Sequence, residues 1–470
     1  MSYCLAIDIG ASSGRHLLCE LAHGKLQMEE VYRFENGMKE ENGTLTWDID
    51  SLFENVVEGI RRCNALGKIP STVAIDTWGV DYILLDQNGK EILPCVAYRD
   101  SRTAGVPEEV FGIISQEKLY EKTGIQRQNY NTIFQLYCDK KDGKLAHATD
   151  FLLMPEYLSY KLTGVKKHEY TICSTTGLLN AESKTWDLDI VDALGFDRAL
   201  FGEICPPCTA VGNFSEEIKK AIGFDCTVVL APAHDTAAAV AACLVDEKSV
   251  FISSGTWSLV GTENLSPVTT PAAMQANLAN EGGIDYRYRF LKNIMGMWLF
   301  QSIRKNLNKA YTYDEMMHMA EASSFTEQID PTNEAFLAPD SMIKAIRTYL
   351  GKPELPLGDL LSSVYHSLAA SYASTVKELE VIADKTIDTV CIVGGGCKDE
   401  YLNRLTAKYT GKRVSAGPVE CTATGNILAQ LMYLDPSLTL MQAREIVKST
   451  YGDSIKYYES FPAIIKKGGT

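Results

Sequence analysis

The chain opens with Tyr3-Cys4-Leu5-Ala6-Ile7-Asp8-Ile9-Gly10-Ala11-Ser12-Ser13-Gly14-Arg15, and this stretch decides how the rest of the fold is interpreted. Residues 3–9 predict a β-strand, residues 10–14 a tight turn, and residues 15–21 and 25–34 the next two strands of an antiparallel meander. Two glycines and three small residues let the turn present several backbone N–H groups to an anion, while the hydroxyls and Arg15 add donors. Asp8 ends the first strand, where an aspartate can hold Mg²⁺ through water.

The same turn has two other interpretations. It fits a polar hairpin turn that binds no ligand. It also matches the Gly-x-Ser-x-Gly pattern of a serine hydrolase, with Ser12 as the nucleophile. The hydrolase pattern requires a helix after the serine, whereas residues 15–21 predict a strand, so the sequence disfavours this alternative.

The order of predicted elements is that of an α/β protein. A helix over residues 50–66, capped by Asp50 or Ser51, is followed by a strand over 71–75, a second strand that ends at Leu85, a turn over 86–89 and a third strand that ends at Tyr98. From Ser249 the opening pattern returns weakly, with a strand, the turn Ser253-Ser254-Gly255-Thr256 and a strand over 257–262. A helix over 360–383, a strand over 389–393 and a helix over 399–409 follow. We expect a boundary near Asp246, with domains 1–246 and 247–470.

Composition excludes several classes of partner. The 470 residues include 45 Lys and Arg against 60 Asp and Glu, a net charge of −15, and no basic run occurs. Nucleic acid and anionic membranes are therefore disfavoured, and an anionic ligand has to be held by local N–H groups or a metal ion. The apolar stretch 237–245 is too short to span a membrane. Thirteen scattered cysteines and no secretory signal predict reduced thiols in the cytoplasm.

Three further segments are candidates for ligand binding. His234-Asp235-Thr236 precedes a helical run of small residues, where Asp235 is either a helix cap or a catalytic base. Ser254-Gly255-Thr256 and Gly394-Gly395-Gly396 each follow a strand and admit a phosphate or a flat ring, or are simply tight connections. Taken together with the first turn, they fit a nucleotide held between two lobes.

Two more segments are ambiguous. The two acids and the indole of Asp76-Thr77-Trp78-Gly79-Val80-Asp81 can bind the hydroxyls and the face of a sugar, although Trp78 also fits a packing role. Cys205-Pro206-Pro207-Cys208 has zinc-ribbon spacing but no second Cys-x-x-Cys, so a loop is expected there.

In combination, these segments resemble the FGGY family of sugar kinases. The segments that carry the resemblance are Ala11-Ser12-Ser13-Gly14-Arg15, Asp76-Thr77-Trp78-Gly79-Val80-Asp81-Tyr82, Tyr98-Arg99-Asp100-Ser101-Arg102, His234-Asp235-Thr236, Ser254-Gly255-Thr256-Trp257-Ser258-Leu259, Phe290-Leu291-Lys292-Asn293-Ile294-Met295-Gly296 and Val393-Gly394-Gly395-Gly396-Cys397. The resemblance implies an α/β fold of two ribonuclease-H-like domains, of the actin and hexokinase type, that flank a central cleft. It is greatest for the members that act on L-rhamnulose.

The resemblance also implies roles for individual residues. It implies that Asp235 is the general base, that Asp8 orients Mg²⁺, and that the other ligand contacts come from two sets. The sugar set is Gly79, His234, Asp235, Thr236 and Asn293, and the ATP set is Ala11, Ser12, Ser13, Gly14, Arg15, Thr256, Gln301 and Gly395. The implied reaction is ATP-dependent phosphorylation of the C1 hydroxyl of L-rhamnulose in L-rhamnose catabolism, by a monomer or homodimer.

Two departures from the family pattern bear on this expectation. Cys421 stands where alanine or serine is usual, which affects local packing on the adenine side. The segment 76–81 lacks the glutamine and histidine of related pentulose kinases, which favours rhamnulose over xylulose. Kinases of other ketoses or polyols, such as L-fuculose or xylulose, and a non-enzymatic actin-like nucleotide switch remain the alternatives.

Overall fold

The structure is a computed structural model that describes residues 3–460. Its strands, in chain order, are β1 (Tyr3–Ile9), β2 (Ser13–Ala22), β3 (Lys25–Glu35), β4 (Lys39–Glu41), β5 (Thr44–Thr46), β6 (Pro70–Thr77), β7 (Tyr82–Leu85), β8 (Asp150–Leu153), β9 (His168–Glu169), β10 (Ile204–Cys205), β11 (Thr209–Asn213), β12 (Thr227–Leu230), β13 (Ser249–Ser254), β14 (Trp257–Asn264), β15 (Ala279–Gly282), β16 (Tyr288–Met295), β17 (Thr389–Val393), β18 (Arg413–Ala416) and β19 (Lys456–Tyr458).

The α-helices are α1 (Ile49–Ala65), α2 (Val106–Phe111), α3 (Gln116–Thr123), α4 (Thr132–Lys141), α5 (Met154–Thr163), α6 (Tyr170–Cys173), α7 (Leu188–Ala193), α8 (Glu216–Ile222), α9 (Asp235–Ala242), α10 (Pro271–Gln275), α11 (Trp298–Asn306), α12 (Tyr313–Glu321), α13 (Met342–Tyr349), α14 (Leu357–Ile382), α15 (Glu400–Thr410), α16 (Cys421–Leu434) and α17 (Leu440–Tyr451).

The chain forms two compact units. Unit 1 comprises residues 3–244, 264–290 and 421–452, and unit 2 comprises residues 245–263, 291–420 and 453–460. The chain therefore returns to unit 1 twice after first leaving it. The division into domains 1–246 and 247–470 stays a prediction.

The sheet of unit 1 has the strand order β11-β12-β6-β1-β2-β3. Strands β1, β2 and β3 form the predicted antiparallel meander, and β6 pairs parallel to β1 on its other side. The register places Asp8 of β1 beside Asp76 of β6, at the carboxyl ends of two parallel strands. Ligands of open α/β sheets bind outside such strand ends.

Two local predictions in unit 1 are wrong. The predicted turn over 86–89 is present, but no strand follows it up to residue 98, because only isolated bridges form, at Glu91 and Val96, and Pro94 lacks the N–H that a sheet ladder needs. Helix α1 begins one residue earlier than predicted, since Asp48 is its cap and accepts a hydrogen bond from the backbone N–H of Ser51.

Helix α1 packs over a buried histidine of β2. His16 is fully buried, its Nε2 lies 3.2 Å from the carbonyl oxygen of Val56, and a Cβ added to Gly59 would lie 2.3 Å from its ring. Burial lowers the pKa of His16 from 6.5 to about 4, with the hydrogen bond to Val56 opposing and Arg62 adding to the shift. The ring is therefore neutral in the folded protein at neutral pH.

This buried imidazole makes stability depend on pH. As the pH falls below 6.5, His16 becomes protonated in the unfolded chain but stays neutral in the folded protein until about pH 4. The contribution of neutral His16 to the free energy of unfolding is therefore fully present above pH 6.5. It falls by about 3 kcal/mol toward pH 4, as expected for a pKa shift of this size. Urea unfolding at pH 7 and pH 4 checks this, because His16→Gln should lose about 3 kcal/mol less than the parent protein. Equal losses in both proteins would mean that folding leaves the pKa of His16 unchanged.

Unit 2 repeats the arrangement of unit 1. Strands β13 and β14 form an antiparallel hairpin, β17 pairs parallel to β13, and β18 pairs parallel to β17. Strand β16 neighbours β14 and β19 pairs with β18 at the other edge. The predicted echo of the opening hairpin is confirmed, and so is an α/β fold with two sheet-containing units.

Candidate functional site

Two aspartates at adjacent strand ends form the centre of the candidate site in unit 1. Arg15 holds one oxygen of Asp8 through its Nε at 3.0 Å and its Nη2 at 2.9 Å. Asp76 is fully buried, and the side-chain amide of Asn426 donates to its Oδ2 at 2.6 Å. Among residues 3–460 nothing hydrogen-bonds to the buried Oδ1 of Asp76. Burial raises the pKa of Asp76 well above its usual value, and Asp8 and Asp235 raise it further.

The first glycine turn joins β1 directly to β2. The N–H of Gly10 donates to the carbonyl of Ser13, and Asn36 ties the turn to the end of β3 through the carbonyls of Gly10 and Ser12. A Cβ on Gly14 would lie 2.2 Å from the ring of Phe34, so glycine is required there for packing. Ser12 is exposed and is followed by a strand. The hydrolase interpretation is therefore wrong, because its nucleophile must begin a helix.

Asp235 is the first residue of α9, and its neighbours hold the segment in place. The carbonyl of His234 accepts the N–H groups of Ala237 and Ala238, which starts the helix, and the carbonyl of Ala233 accepts the N–H of Thr77 at the end of β6. The side-chain carboxylate of Glu169 accepts a hydrogen bond from the backbone N–H of Ala233. These bonds fix the start of α9 next to the end of β6.

The Asp235 carboxylate combines access to solvent with an electrostatic environment suited to a base. Its side chain keeps 33% of its surface accessible, and the hydroxyl of Thr236 donates to its Oδ1 at 3.0 Å. Desolvation raises the pKa of Asp235, His234 lowers it, and Asp8 raises it again. A carboxyl with a raised pKa is the more effective proton acceptor.

The predicted residues Gly79, His234 and Thr236 gather around this carboxylate. His234 Nε2 lies 3.5 Å from Asp235 Oδ1, and a Cβ on Gly79 would lie 3.4 Å from that same nitrogen. Three residues near them were missed by sequence reasoning. These are Glu281 and Arg289, which contact His234, and Asn426, which holds Asp76.

The segment 76–81 divides into two parts with different roles. Trp78 is buried against Trp47, with ring centroids 4.2 Å apart, and the indole N–H groups of both tryptophans donate to Asp81 Oδ2. Asp81 is 1% exposed. The packing role of Trp78 is therefore the correct one, and among these residues Asp76 and Gly79 face the candidate site.

The ATP candidates of unit 2 include Thr256 in the turn between β13 and β14. The carbonyl of Thr256 accepts the backbone N–H groups of Gly296 and Trp298, which attaches the turn to the start of α11. A Cβ on Gly296 would lie 2.4 Å from Ser258 Oγ, so only glycine permits this approach. Gln301 lies in the first turns of the same helix. The structure thus brings Thr256 and Gln301 to one helix end.

The triple glycine follows β17 and contacts the end of β13. A Cβ on Gly396 would lie 2.0 Å from Ser254 Oγ, and Gly394 has a φ of +83°, so both positions require glycine. A Cβ on Gly395 would meet no atom within 4 Å, which leaves open space over its backbone. Asn293, on β16, has a buried Oδ1 that no described residue hydrogen-bonds.

Cys421 is buried at the start of α16, and its thiol donates to the carbonyl of Ala239 on α9 at 3.0 Å. The sequence departure at this position therefore lies in the packing of unit 1, where the thiol joins two helices. The expected loop holds for Cys208, which lies in a bend, but Cys205 ends strand β10. Burial raises the pKa of the Cys208 thiol to about 12, so this thiol stays protonated.

One cluster of potential metal ligands lies elsewhere in the described chain. Glu156, His168 and Cys173 bring a carboxylate, an imidazole and a thiol within 4.8 Å of one another. The Glu156 oxygens already accept four hydrogen bonds, from His168, Cys173 and the backbone N–H groups of residues 153 and 169. This arrangement braces the start of α5.

None of the helices between residues 3 and 460 combines the length and apolarity needed to cross a bilayer.

Comparison with known proteins supplies independent findings. The model of the N-terminal domain of the FGGY family of carbohydrate kinases matches residues 3–242, and the model of its C-terminal domain matches residues 250–434. The rhamnulokinase of Oceanobacillus iheyensis is 43% identical over 96% of this chain and 97% of its own length. The rhamnulokinase of Halalkalibacterium halodurans is 43% identical over 98% and 99%, and that of Bacillus subtilis 39% identical over 95% and 93%.

Solved structures share the fold at low sequence identity. The gluconate kinase of Lactobacillus acidophilus superposes with a TM-score of 0.81 at 16% identity, over 98% of this chain and 94% of its own. The ligand-bound xylulose kinase of the same organism gives a TM-score of 0.79 at 16% identity, with coverage of 98% and 94%. The glycerol kinase of Plasmodium falciparum with ADP gives 0.76 at 15% identity, with coverage of 98% and 94%.

Proposed function

The chain belongs to the FGGY family of carbohydrate kinases, and from this membership we propose that it transfers the γ-phosphoryl group of ATP to the C1 hydroxyl of L-rhamnulose. Relatives at 39 to 43% identity over nearly their whole length are rhamnulokinases, which supports this acceptor. The observation that carries the proposal is Asp235, an accessible carboxylate at the start of α9 beside the strand-end pair Asp8 and Asp76. We also propose the cytoplasm as its location, since scattered cysteines predict a reducing compartment.

The proposed chemistry assigns a proton acceptor and two sets of binding residues. Asp235 accepts the proton of the C1 hydroxyl while the C1 oxygen bonds to the γ-phosphorus, and the bond from that phosphorus to the β,γ-bridging oxygen breaks to release ADP. In this proposal Gly79, His234, Thr236 and Asn293 bind the ketose. Ala11, Ser12, Ser13, Gly14, Arg15, Thr256, Gln301 and Gly395 bind ATP, with backbone N–H groups compensating phosphate charge.

The donor set of unit 1 fits a magnesium ion. Mg²⁺ prefers oxygen ligands and retains several waters. Asp8 provides a carboxylate at a strand end, and the buried Oδ1 of Asp76 has no hydrogen-bond partner within residues 3–460. We propose that Asp8 holds the ion, which when bound neutralises charge on the transferred phosphoryl group.

Replacing Asp8 tests this assignment. We expect Asp8→Asn to raise the Mg²⁺ concentration for half-maximal turnover by about tenfold or more, the usual cost of losing a group that supports a metal. Initial rates measured across Mg²⁺ concentrations at fixed ATP and ketose give the value. Asp50→Asn, at an exposed position of α1, serves as the control. An unchanged Mg²⁺ requirement would assign Asp8 only to its ion pair with Arg15.

The acceptor is tested by ADP release across a panel of sugars. L-Rhamnulose, L-fuculose, L-xylulose, D-xylulose and glycerol are compared by kcat/KM, and the product is analysed for a phosphate ester at C1. We expect L-rhamnulose to give the highest kcat/KM. A higher value for another member of the panel would reassign the acceptor within the family. ATP binding by calorimetry without any ketose binding would instead favour a nucleotide switch.

A further inference from the structure

A buried ion pair between Arg289 and Glu281 contacts the Nδ1 side of the His234 ring in unit 1. Arg289, on β16, is fully buried, and Glu281, on β15, is 5% exposed. Arg289 Nε donates to the carbonyl of Gly282 at 2.8 Å, and its Nη2 lies 3.0 Å from Glu281 Oε2. Removing two charges from water costs several kcal/mol per ion. A packed apolar pair is often as stable, so stability alone does not account for these two charges.

The two nitrogens of the His234 ring face different surroundings. Nδ1 faces the ion pair, 3.2 Å from Arg289 Nη2 and 3.3 Å from Glu281 Oε2. Nε2 faces Asp235, 3.5 Å from its Oδ1, and lies next to Gly79. Of the two contacts at Nδ1, only that with Arg289 has hydrogen-bond geometry, because Glu281 Oε2 has no hydrogen-bond partner among the described residues.

The chemistry of the guanidinium decides the state of the ring. Arginine only donates hydrogen bonds and keeps its charge in proteins, so Nδ1 has to accept and cannot carry a proton. A protonated imidazolium would also place a second positive charge beside the guanidinium. The partner of one ring nitrogen determines which nitrogen carries the proton, so the proton of neutral His234 resides on Nε2.

Glu281 keeps Arg289 in this position. Burial opposes the charged form of Glu281, but the Arg289 guanidinium favours it, and the pKa of this carboxyl lies below its usual value. The ionised carboxylate neutralises the guanidinium at 3.0 Å. The pair therefore presents a charged donor to Nδ1 without leaving an uncompensated charge in the interior.

We propose that Arg289 and Glu281 are positioning residues that fix His234 as its Nε2–H tautomer and direct this proton toward the bound ketose. The part that concerns the ketose rests on the proposed function, whereas the tautomer does not. In the absence of the sugar the Nε2–H faces the Asp235 carboxylate. With the sugar bound it donates to an oxygen of the acceptor and so helps to orient the hydroxyl toward Asp235.

The tautomer is tested by ¹⁵N NMR of protein labelled at histidine. The His234 signals are identified by their loss in His234→Asn. We expect a protonated Nε2 and an unprotonated Nδ1 at neutral pH. A protonated Nδ1 would overturn the proposal. This readout requires no substrate, so a protein that phosphorylates no ketose would refute the proposed function and leave the tautomer result valid.

A paired substitution tests the positioning role without leaving a buried charge unpaired. Arg289→Met combined with Glu281→Met removes both charges and keeps similar volume, a kind of exchange that proteins often tolerate. We expect both His234 tautomers to appear and the ketose KM to rise about tenfold, which corresponds to one lost hydrogen bond, while the ATP KM changes less than twofold. An unchanged tautomer and ketose KM would refute the role.

Glu156→Gln is the matched control. Glu156 is a second buried glutamate of unit 1 that contacts a histidine Nδ1, with 3.1 Å between its Oε2 and His168. We expect this variant to lose stability and to keep the ketose KM of the parent protein. If it raised the ketose KM as much as the paired substitution, the effect would be a general consequence of a weakened core and the proposal would fail.

Discussion

We expect Asp235→Asn to lower kcat by about 10² to 10⁴-fold, the usual contribution of a general base, while the Kd for ATP changes little. Asparagine keeps the size of the side chain and an oxygen that can accept the hydrogen bond of Thr236. The substitution therefore removes the proton acceptor with little change in packing. Because this carboxylate stands beside Asp8 and Asp76, losing its charge also relieves repulsion within unit 1.

The measurement has to isolate the chemical step. Single-turnover quench of labelled ATP with saturating ketose gives the rate of transfer, and calorimetry gives the ATP Kd. Glu54→Gln, which neutralises an exposed carboxylate on α1, should match the parent protein in both values. Parent-like transfer by Asp235→Asn would show that another group accepts the proton.

The second large effect is expected at Gly425, where helix α16 crosses α9. A Cβ at this position would lie 1.8 Å from the carbonyl oxygen of Ala238 and 2.6 Å from its carbon. Both atoms belong to backbone, so the helices have to separate. In an unobstructed helix, glycine to alanine stabilises by about 1 kcal/mol, but here we expect Gly425→Ala to destabilise by about 3 kcal/mol, near the upper end for an overpacked core.

Activity should fall together with stability in this variant. Ala238 lies one turn after Asp235, so displacing α9 also displaces the proposed base, and a misplacement of about 1 Å can cost about 10²-fold in rate. Urea unfolding and single-turnover transfer at 25 °C measure the two effects. Gly37→Ala is the control, because a Cβ there meets no atom within 4 Å. Parent-like stability and transfer in Gly425→Ala would refute the close contact of the helices.

The sequence predicts those parts of the fold that depend on local pattern. The opening meander and the strand Thr389–Val393 lie where periodicity and turn residues indicate, and the long helix predicted over 360–383 is observed as Leu357–Ile382. The errors arise where the chain context overrides the pattern. The strand predicted to follow the turn over 86–89 and to end at Tyr98 does not form, because Pro94 cannot donate to a ladder and only isolated bridges occur, at Glu91 and Val96.

The candidate site is predictable to the same extent. Gly79, His234 and Thr236 belong to short motifs and do lie around Asp235. Arg289 lies 55 residues from His234, and Asn426 lies 350 residues from the Asp76 that it holds. No local pattern indicates such contacts, since they arise only when distant strands and helices pack. A single sequence therefore identifies the residues proposed to bind ligands more readily than those proposed to position them.

The path of the chain through the two units has a consequence for biosynthesis. Helix α16, which contacts α9 through Cys421 and Gly425 and holds Asp76 through Asn426, lies in the last segment of unit 1, residues 421–452. A nascent chain leaves the ribosome from its N-terminus, and a domain generally folds as a unit. Unit 1 thus cannot complete its core until translation has passed residue 452. A truncated product that stops at residue 246 leaves exposed the surface of α9 that α16 covers in the full chain.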